Sequence, residues 1–216
     1  MMYMMFQNKM IGNYTAIIEL QKKFAKKVIT CDYLNNIDTV CGIDVSYKDR
    51  KAFCSAVIVN KTTLEIVEIK HEKSTVEYPY IPGLFMLREA KPLLKTLRLL
   101  KNSYNVLLID GHGNLHPRKC GLACYVGIII DKPTIGVAKN LLCGSTLENN
   151  YIEYNKEILG YRIRKNNKKD IYASIGHKIS LETAVSIIIN LTKKNEFIPE
   201  PLRIADTNSK KYSNFK

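Results

Sequence analysis

Apolar and polar residues exchange places along this chain with two periods, about two residues and about 3.6, and each marks a kind of element. Residues 11–29 carry the longer period. Ile17, Leu20, Phe24 and Val28 fall on one face and Lys22, Lys23, Lys26 and Lys27 on the rest, which predicts an amphipathic helix. Val40–Tyr47, Phe53–Val59 and Leu64–Lys70 are β-rich runs separated by Lys, Asp and Asn turns, the pattern of an antiparallel meander. In the first run Cys41, Ile43, Val45 and Tyr47 share one face, leaving Gly42, Asp44 and Ser46 on the other. Residues 78–101 open as a Pro- and Gly-punctuated loop and become a helix with Met86, Ala90, Leu93, Leu97 and Leu100 on its buried face. Pro92 cannot donate to the Arg88 carbonyl and predicts a kink there.

The second half alternates strand and helix. Val106–Ile109 is a continuous apolar run, as in a strand buried on both faces, and it stops at Asp110. Gly121–Ile130 reads as a close-packed helix of small residues, and Thr134–Ala138 as a short strand ending at Lys139. Such a unit pairs its strands in parallel through a right-handed crossover, so Asp110 and Lys139 emerge at one sheet edge. Ile158–Arg164 and Asp170–Ser174 predict a hairpin over the polar turn 165–169. Ser180 caps a helix with Leu181, Ala184, Val185, Ile188 and Leu191 inside, and residues 199–216 hold Leu202–Asp206 and a frayed polar tail from about 207. With no repeat and no linker, the reading is one α/β domain over 1–216.

Charge narrows the class of partner. Thirty-three Lys and Arg against 20 Asp and Glu leave +13, which favours an anionic polymer such as nucleic acid or an anionic membrane surface. No stretch approaches the ~18 apolar residues of a membrane span, and the start MMYMMFQNKM lacks a basic leader. A soluble cytoplasmic protein is expected, with a monomer as the default. Cys31, Cys41, Cys54, Cys120, Cys124 and Cys143 form no C-x-x-C pair and sit mostly in apolar runs, which suits buried thiols better than disulfides or zinc.

Three acids carry the candidate chemistry. Asp44 in mid-strand needs a cation partner or an open cleft, because an unpaired buried carboxylate costs several kcal/mol. Glu89 falls near the Pro92 kink on the side of Phe85, facing either a cleft or solvent. Asp110 leads into Gly111, Gly113 and Gly121, which let the backbone approach a ligand, while His116, Arg118 and Lys119 bring donors and positive charge. Tyr80, Ile81 and Pro82 are an apolar triplet in a loop, either core or a wedge of the kind that separates stacked bases.

Six segments in order, CGIDVSY (41–47), PYIPGLFMLREAKPLL (79–94), IDGHGNLHPRKCGLA (109–123), TIGVAKNLLCG (134–144), GHKISLETAV (176–185) and EPLRIAD (200–206), resemble the endonuclease V family. The resemblance implies an RNase H-like α/β fold, a mixed five-stranded sheet flanked by helices. It also implies cleavage of DNA containing deoxyinosine at the second phosphodiester bond 3′ to the lesion, leaving 3′-hydroxyl and 5′-phosphate ends. Inosine-containing RNA is an alternative substrate. Asp44, Glu89 and Asp110 match the family's acidic active-site residues, suited to Mg²⁺ or Mn²⁺. Asp44 and Asp110 are the implied direct ligands, and Glu89 is a ligand or orients the water. Lys139 matches a lysine near the scissile phosphate, and Asp206 or His177 would supply a variable fourth ligand. Tyr80, Ile81 and Pro82 match the wedge, and the flipped base would meet Gly83, Gly111, Gly113, Leu115, His116 and Gly121.

The chain departs from the family at Cys124 and Tyr125, where a Ser-His pair is usual, and at Ile175, where Pro is frequent. Rival readings are a Rossmann-type binder, disfavoured because His116 replaces the third glycine of that motif, a nucleic-acid-binding module without catalysis, and a resolvase-like nuclease with the same acids.

Overall fold

Thr39–Lys48 (β1) and Lys51–Asn60 (β2) pair antiparallel around a two-residue turn, Asp49 and Arg50, both at positive φ. That turn matches the right-handed twist of the flanking strands. The structure, a computed structural model, describes residues 2–34, 36–164 and 169–214, with side chains placed from Tyr14 onward. Ile66–Thr75 (β3) completes the meander and runs beyond Lys70, because as an edge strand it accepts polar residues on both faces. Val106–Asp110 (β4) lies parallel to β1, and Thr134–Ala138 (β5) parallel to β4.

The mixed five-strand frame is therefore present as β3-β2-β1-β4-β5, but the sheet of the described residues has nine strands. Antiparallel to β5 runs Ile171–His177 (β9), followed outward by Glu157–Ile163 (β8), Tyr151–Tyr154 (β7) and Ser145–Thr146 (β6). The last two are too short and too polar to show a period in sequence. The β8-β9 hairpin is the one read from sequence, and residues 165–168 of its polar turn lie outside the described residues.

Helices cover both faces. Met2–Ala25 (α1), Met86–Leu97 (α2) and Leu122–Ile130 (α3) pack on Cys41, Ile43, Val45, Leu107 and Ile109. Full burial of Ile43, Leu93, Leu107 and Ile109 contributes about 1.5–3 kcal/mol each. The first helix begins before residue 11 and stops before 29, the chain tightening into a turn in which Lys27 N–H donates to the Phe24 carbonyl. α2 is continuous across Pro92, and the Thr96 hydroxyl donates to the Pro92 carbonyl at 2.9 Å.

Leu181–Leu191 (α4), capped by Ser180, and Glu200–Asn214 (α5) lie on the other face, against Val40, Leu108 and Val137 or against Val57 and Val59. α5 comes so close to β1 that a Cβ on Gly42 would stand 2.3 Å from the Pro201 carbonyl carbon. The polar tail expected from 207 is instead helical to Asn214. Ser209 is buried, and Tyr212 stacks on His71 with ring centroids 5.1 Å apart. Its sequence is mostly polar because only one face of this helix packs on the sheet. No helix of the described residues is long and apolar enough to cross a membrane.

Candidate active site

The β1-β4 register pairs Ile43 with Ile109, so Asp44 and Asp110 follow at successive positions on neighbouring parallel strands. Strands in such a pair stand about 4.8 Å apart, and the period of two puts both carboxylates on the α5 face with Gly42 and Leu108. Both acids line a cavity of about 440 Å³ at the carboxyl ends of β4 and β5, with Glu89 across from them on α2. Lys139, just beyond β5, donates to Asp110 Oδ2.

Four acids meet here with too little positive charge. Asp44 is pushed up to about 8, first by burial and then by the Asp110 charge and a hydrogen bond to Asp206. Asp206 is lowered: burial opposes its charge, but Lys210 at 2.7 Å and the hydrogen bond from Asp44 outweigh it. Glu89 is only 5% exposed and is raised well above the usual carboxyl range, chiefly by burial; the Tyr47 hydroxyl donating at 2.8 Å works the other way. Lys139 is raised, the Asp110 charge overcoming the cost of burial.

Asp44 and Glu89, whose charged forms burial disfavours, stand with Asp110 and Asp206 as a set of carboxylate oxygens fitted to a hard divalent cation. Among the described residues no three His, Cys, Asp or Glu side chains form a ready-made metal cluster. Asp110 is engaged by Lys139 and Asp44 by Asp206.

The loops close the other side. Tyr80, Gly83, Gly111, His116 and Gly121 line the cavity. Gly83 at φ +76° and Gly111 at φ +153° hold conformations that favour glycine. Tyr80 is 60% exposed and meets Phe85 edge-on at 5.6 Å, while Ile81 is half-buried and Pro82 exposed beside it. Burial lowers His112 and His116 to about 4, so both rings are neutral at physiological pH.

Ile81 and Pro82 adjoin Tyr80 without lining the cavity, and three other candidates lie further off. Gly113 sits behind the lining, its N–H donating to Ser174 Oγ at 2.8 Å, and a Cβ there would stand 2.1 Å from the Ile175 carbonyl oxygen. Leu115 is fully buried in a satellite cluster with Ile152 and Leu159. His177 ends β9, which runs antiparallel to β5, so it pairs with Thr134 at the far end of the strand from Lys139. There its ring accepts from Ile29 N–H at 3.3 Å and lies 3.4 Å from Asp131. It stands apart from Asp44, Asp110 and Asp206, because β9 runs against β5 and carries residue 177 to the opposite end of the sheet, so it is no fourth ligand there.

Sequence reasoning missed Tyr47, Gln21, His112 and Asn140, all on the cavity wall. Alternation puts Tyr47 on one face with Cys41, Ile43 and Val45, but periodicity cannot show that this end of the strand opens onto the cavity. The departures at 124 and 175 meet each other: the Cys124 thiol donates to the Ile175 carbonyl at 3.3 Å, and Tyr125 stacks on Phe24 at 5.2 Å.

The family model described as Endonuclease V matches residues 22–207. The chain is 40% identical over 191 residues to "Endonuclease V" of Thermofilum pendens, covering 86% of this chain and 82% of the relative. It is 39% identical over 211 residues to "Endonuclease V" of Dictyoglomus thermophilum, covering 94% and 92%. Among solved structures, Ciona intestinalis Endonuclease V in complex with a 24mer DNA containing an inosine followed by a ribo-adenosine superposes with a TM-score of 0.83. That match has 28% identity and covers 95% of this chain and 98% of the other. The sheet and its flanking helices are thus the RNase H-like arrangement.

Proposed function

Since this chain belongs to the endonuclease V family, whose members are nucleases, we propose that it recognises deoxyinosine in DNA and cuts the second phosphodiester bond 3′ to it. The products carry 3′-hydroxyl and 5′-phosphate ends. The observation that carries the catalytic part is the placing of Asp44 and Asp110 side by side on parallel strands, at a cavity shared with Glu89 and Lys139. The Ciona relative bound to inosine-containing DNA supports the substrate.

Asp44 and Asp110, with Asp206 beside Asp44, would hold Mg²⁺ or in its place Mn²⁺, which when bound supplies Lewis-acid polarisation of the scissile phosphate. Glu89, held by Tyr47, orients the attacking water. Lys139 faces the negative charge that builds on the phosphoryl oxygens, and Asp110 keeps its ammonium in place. Tyr80, exposed on the cavity wall and followed by half-buried Ile81 and exposed Pro82, fills the gap left in the base stack. A purine turned out of the stack then enters between the loops of Gly83, Gly111, His116 and Gly121. Hypoxanthine lacks the 2-amino group of guanine, so a close apolar wall at that edge excludes guanine, and a donor to the 6-oxygen disfavours adenine.

Inosine-containing RNA is the second reading, favoured by the ribonucleotide that follows inosine in the Ciona complex. The test incubates the chain and Mg²⁺ with matched DNA and RNA strands carrying one inosine, beside unmodified strands, and maps the cut. Cleavage of the inosine DNA one nucleotide beyond the lesion's 3′ neighbour bond is expected. Binding with no cutting in any metal would leave only a nucleic-acid-binding module.

A further inference from the structure

Gln21 lies on α1, remote in sequence from the acids, and is 1% exposed. A buried carboxamide is costly unless bonded, and this one is bonded throughout. Its Nε2 donates to the Gly83 carbonyl at 3.1 Å and to the Cys120 carbonyl at 2.9 Å, and its Oε1 accepts from Arg118 Nε at 2.7 Å. The Gly83 carbonyl is a node, for Arg118 Nη2 also donates to it at 2.5 Å and His116 Nε2 lies 3.1 Å away. The node is crowded: a Cβ on Gly83 would stand 2.8 Å from the Arg118 guanidinium.

These bonds join two loops that the main chain leaves apart. Gly83 ends the exposed turn of Tyr80, Ile81 and Pro82, while Cys120 precedes Gly121, the first residue of the α3 cap. Gln21 shares the cavity wall with both, yet its two amide hydrogens are already committed, so it has no donor left for a base. Its bonds run to the loops, not to the acids or Lys139.

We infer that Gln21 is a positioning residue for lesion recognition, a crossbar that sets the distance between the wedge loop and the base-receiving loop. The inference rests on the functional reading above, in which those loops frame the extruded base. Loss of the crossbar lets the slot widen without disturbing the acids, so selection of the lesion suffers before bond cleavage does.

The test uses the full chain as Gln21→Met, which keeps the volume and removes all three bonds. A second variant, Gln21→Glu, retains the acceptor for Arg118 and loses only the two donations. Dissociation constants for an inosine strand and an unmodified strand are measured beside the single-turnover rate at saturating protein and the melting temperature. In both variants inosine binding is expected to weaken about tenfold or more, with unmodified-strand binding unchanged and the saturated cutting rate within about threefold, since the lost bonds hold the loops while the acids and Lys139 keep their own partners. An unchanged ratio of the two affinities, an equal loss on both strands, or a loss confined to the cutting rate would overturn it. A wild-type chain that does not distinguish the strands would instead overturn the functional reading on which it stands.

Discussion

The Tyr47 hydroxyl donates to Glu89 Oε1 at 2.8 Å, and the Arg88 guanidinium stacks 4.0 Å above the Tyr47 ring. Burial, with Asp44 and Asp110 nearby, favours a proton on Glu89, and the Tyr47 bond is the chief influence the other way. Tyr47→Phe removes that donor while keeping the ring and its stacking. Single-turnover cutting of an inosine strand should fall roughly tenfold, the value of one donor to a charged group, with lesion binding unaltered. A rate equal to wild type would deny Glu89 its role.

Asp110 and Lys139 form an ion pair at the cavity, and the proposed mechanism gives each its own part in the phosphate chemistry. Asp110→Asn should abolish nicking and leave lesion binding measurable, because it removes the charge proposed to hold the cation and the anionic partner of the Lys139 ammonium. Lys139→Ala should slow cutting by about 10²–10³-fold while the metal requirement persists, the usual cost of losing one group that faces transition-state charge. Gel-based nicking with and without a chelator, followed by Mg²⁺ readdition, separates the two. A Lys139→Ala protein as fast as wild type would remove that lysine from the mechanism.

Gly42 is a point of very close approach between β1 and α5. Its missing Cβ would stand 2.3 Å from the Pro201 carbonyl carbon and 2.6 Å from Leu202 N, both backbone atoms that cannot turn aside. Gly42→Ala should therefore lift α5, and Asp206 with it, at a cost of about 1–3 kcal/mol or more. Urea unfolding gives the loss directly, and cutting should fall as well, since Asp206 contacts Asp44.

Much of this site was legible in sequence because regular pairing transmits it. The alternation in CGIDVSY placed Asp44 on its face, the strand-helix-strand order brought Asp110 and Lys139 together, and both survive in the register. What sequence could not carry was long-range direction. His177 was misplaced because nothing local says that β9 runs against β5, and β6 and β7 escaped because they owe their existence to the neighbour strand. Gln21 and Tyr47 were unreadable for a related reason: each meets its partner 40 or more residues away, Gln21 to Cys120 spanning 99 positions and Tyr47 to Glu89 42. Residues 207–214 looked like a tail because their lysines and serines hide a single packed face, with Tyr212 against His71 and Phe53.

The start of α5 should make the fold acid-sensitive. Glu200 bonds Arg203 through both oxygens, at 2.7 and 2.8 Å, and Lys193 at 2.7 Å. The Arg203 bonds, opposed by burial and aided by Lys193, hold its carboxyl down at about 2, against an ordinary value of 4.5. A lowered folded-state value means that stabilisation is complete above the unfolded value and is lost as pH falls toward 2, where both states are protonated. Lys193 and Arg203 are 51% and 38% exposed, so water and salt screen the cluster, and its worth is about 1–2 kcal/mol, not the full value of the shift. Glu200→Gln should lower stability by that amount at pH 7, and by progressively less as pH falls below 4.5. Denaturant unfolding of both proteins from pH 7 to 3 should show the two curves converging in acid. Curves that stay parallel throughout would mean that Glu200 acts through packing, and that its charge does nothing to anchor the helix that carries Asp206.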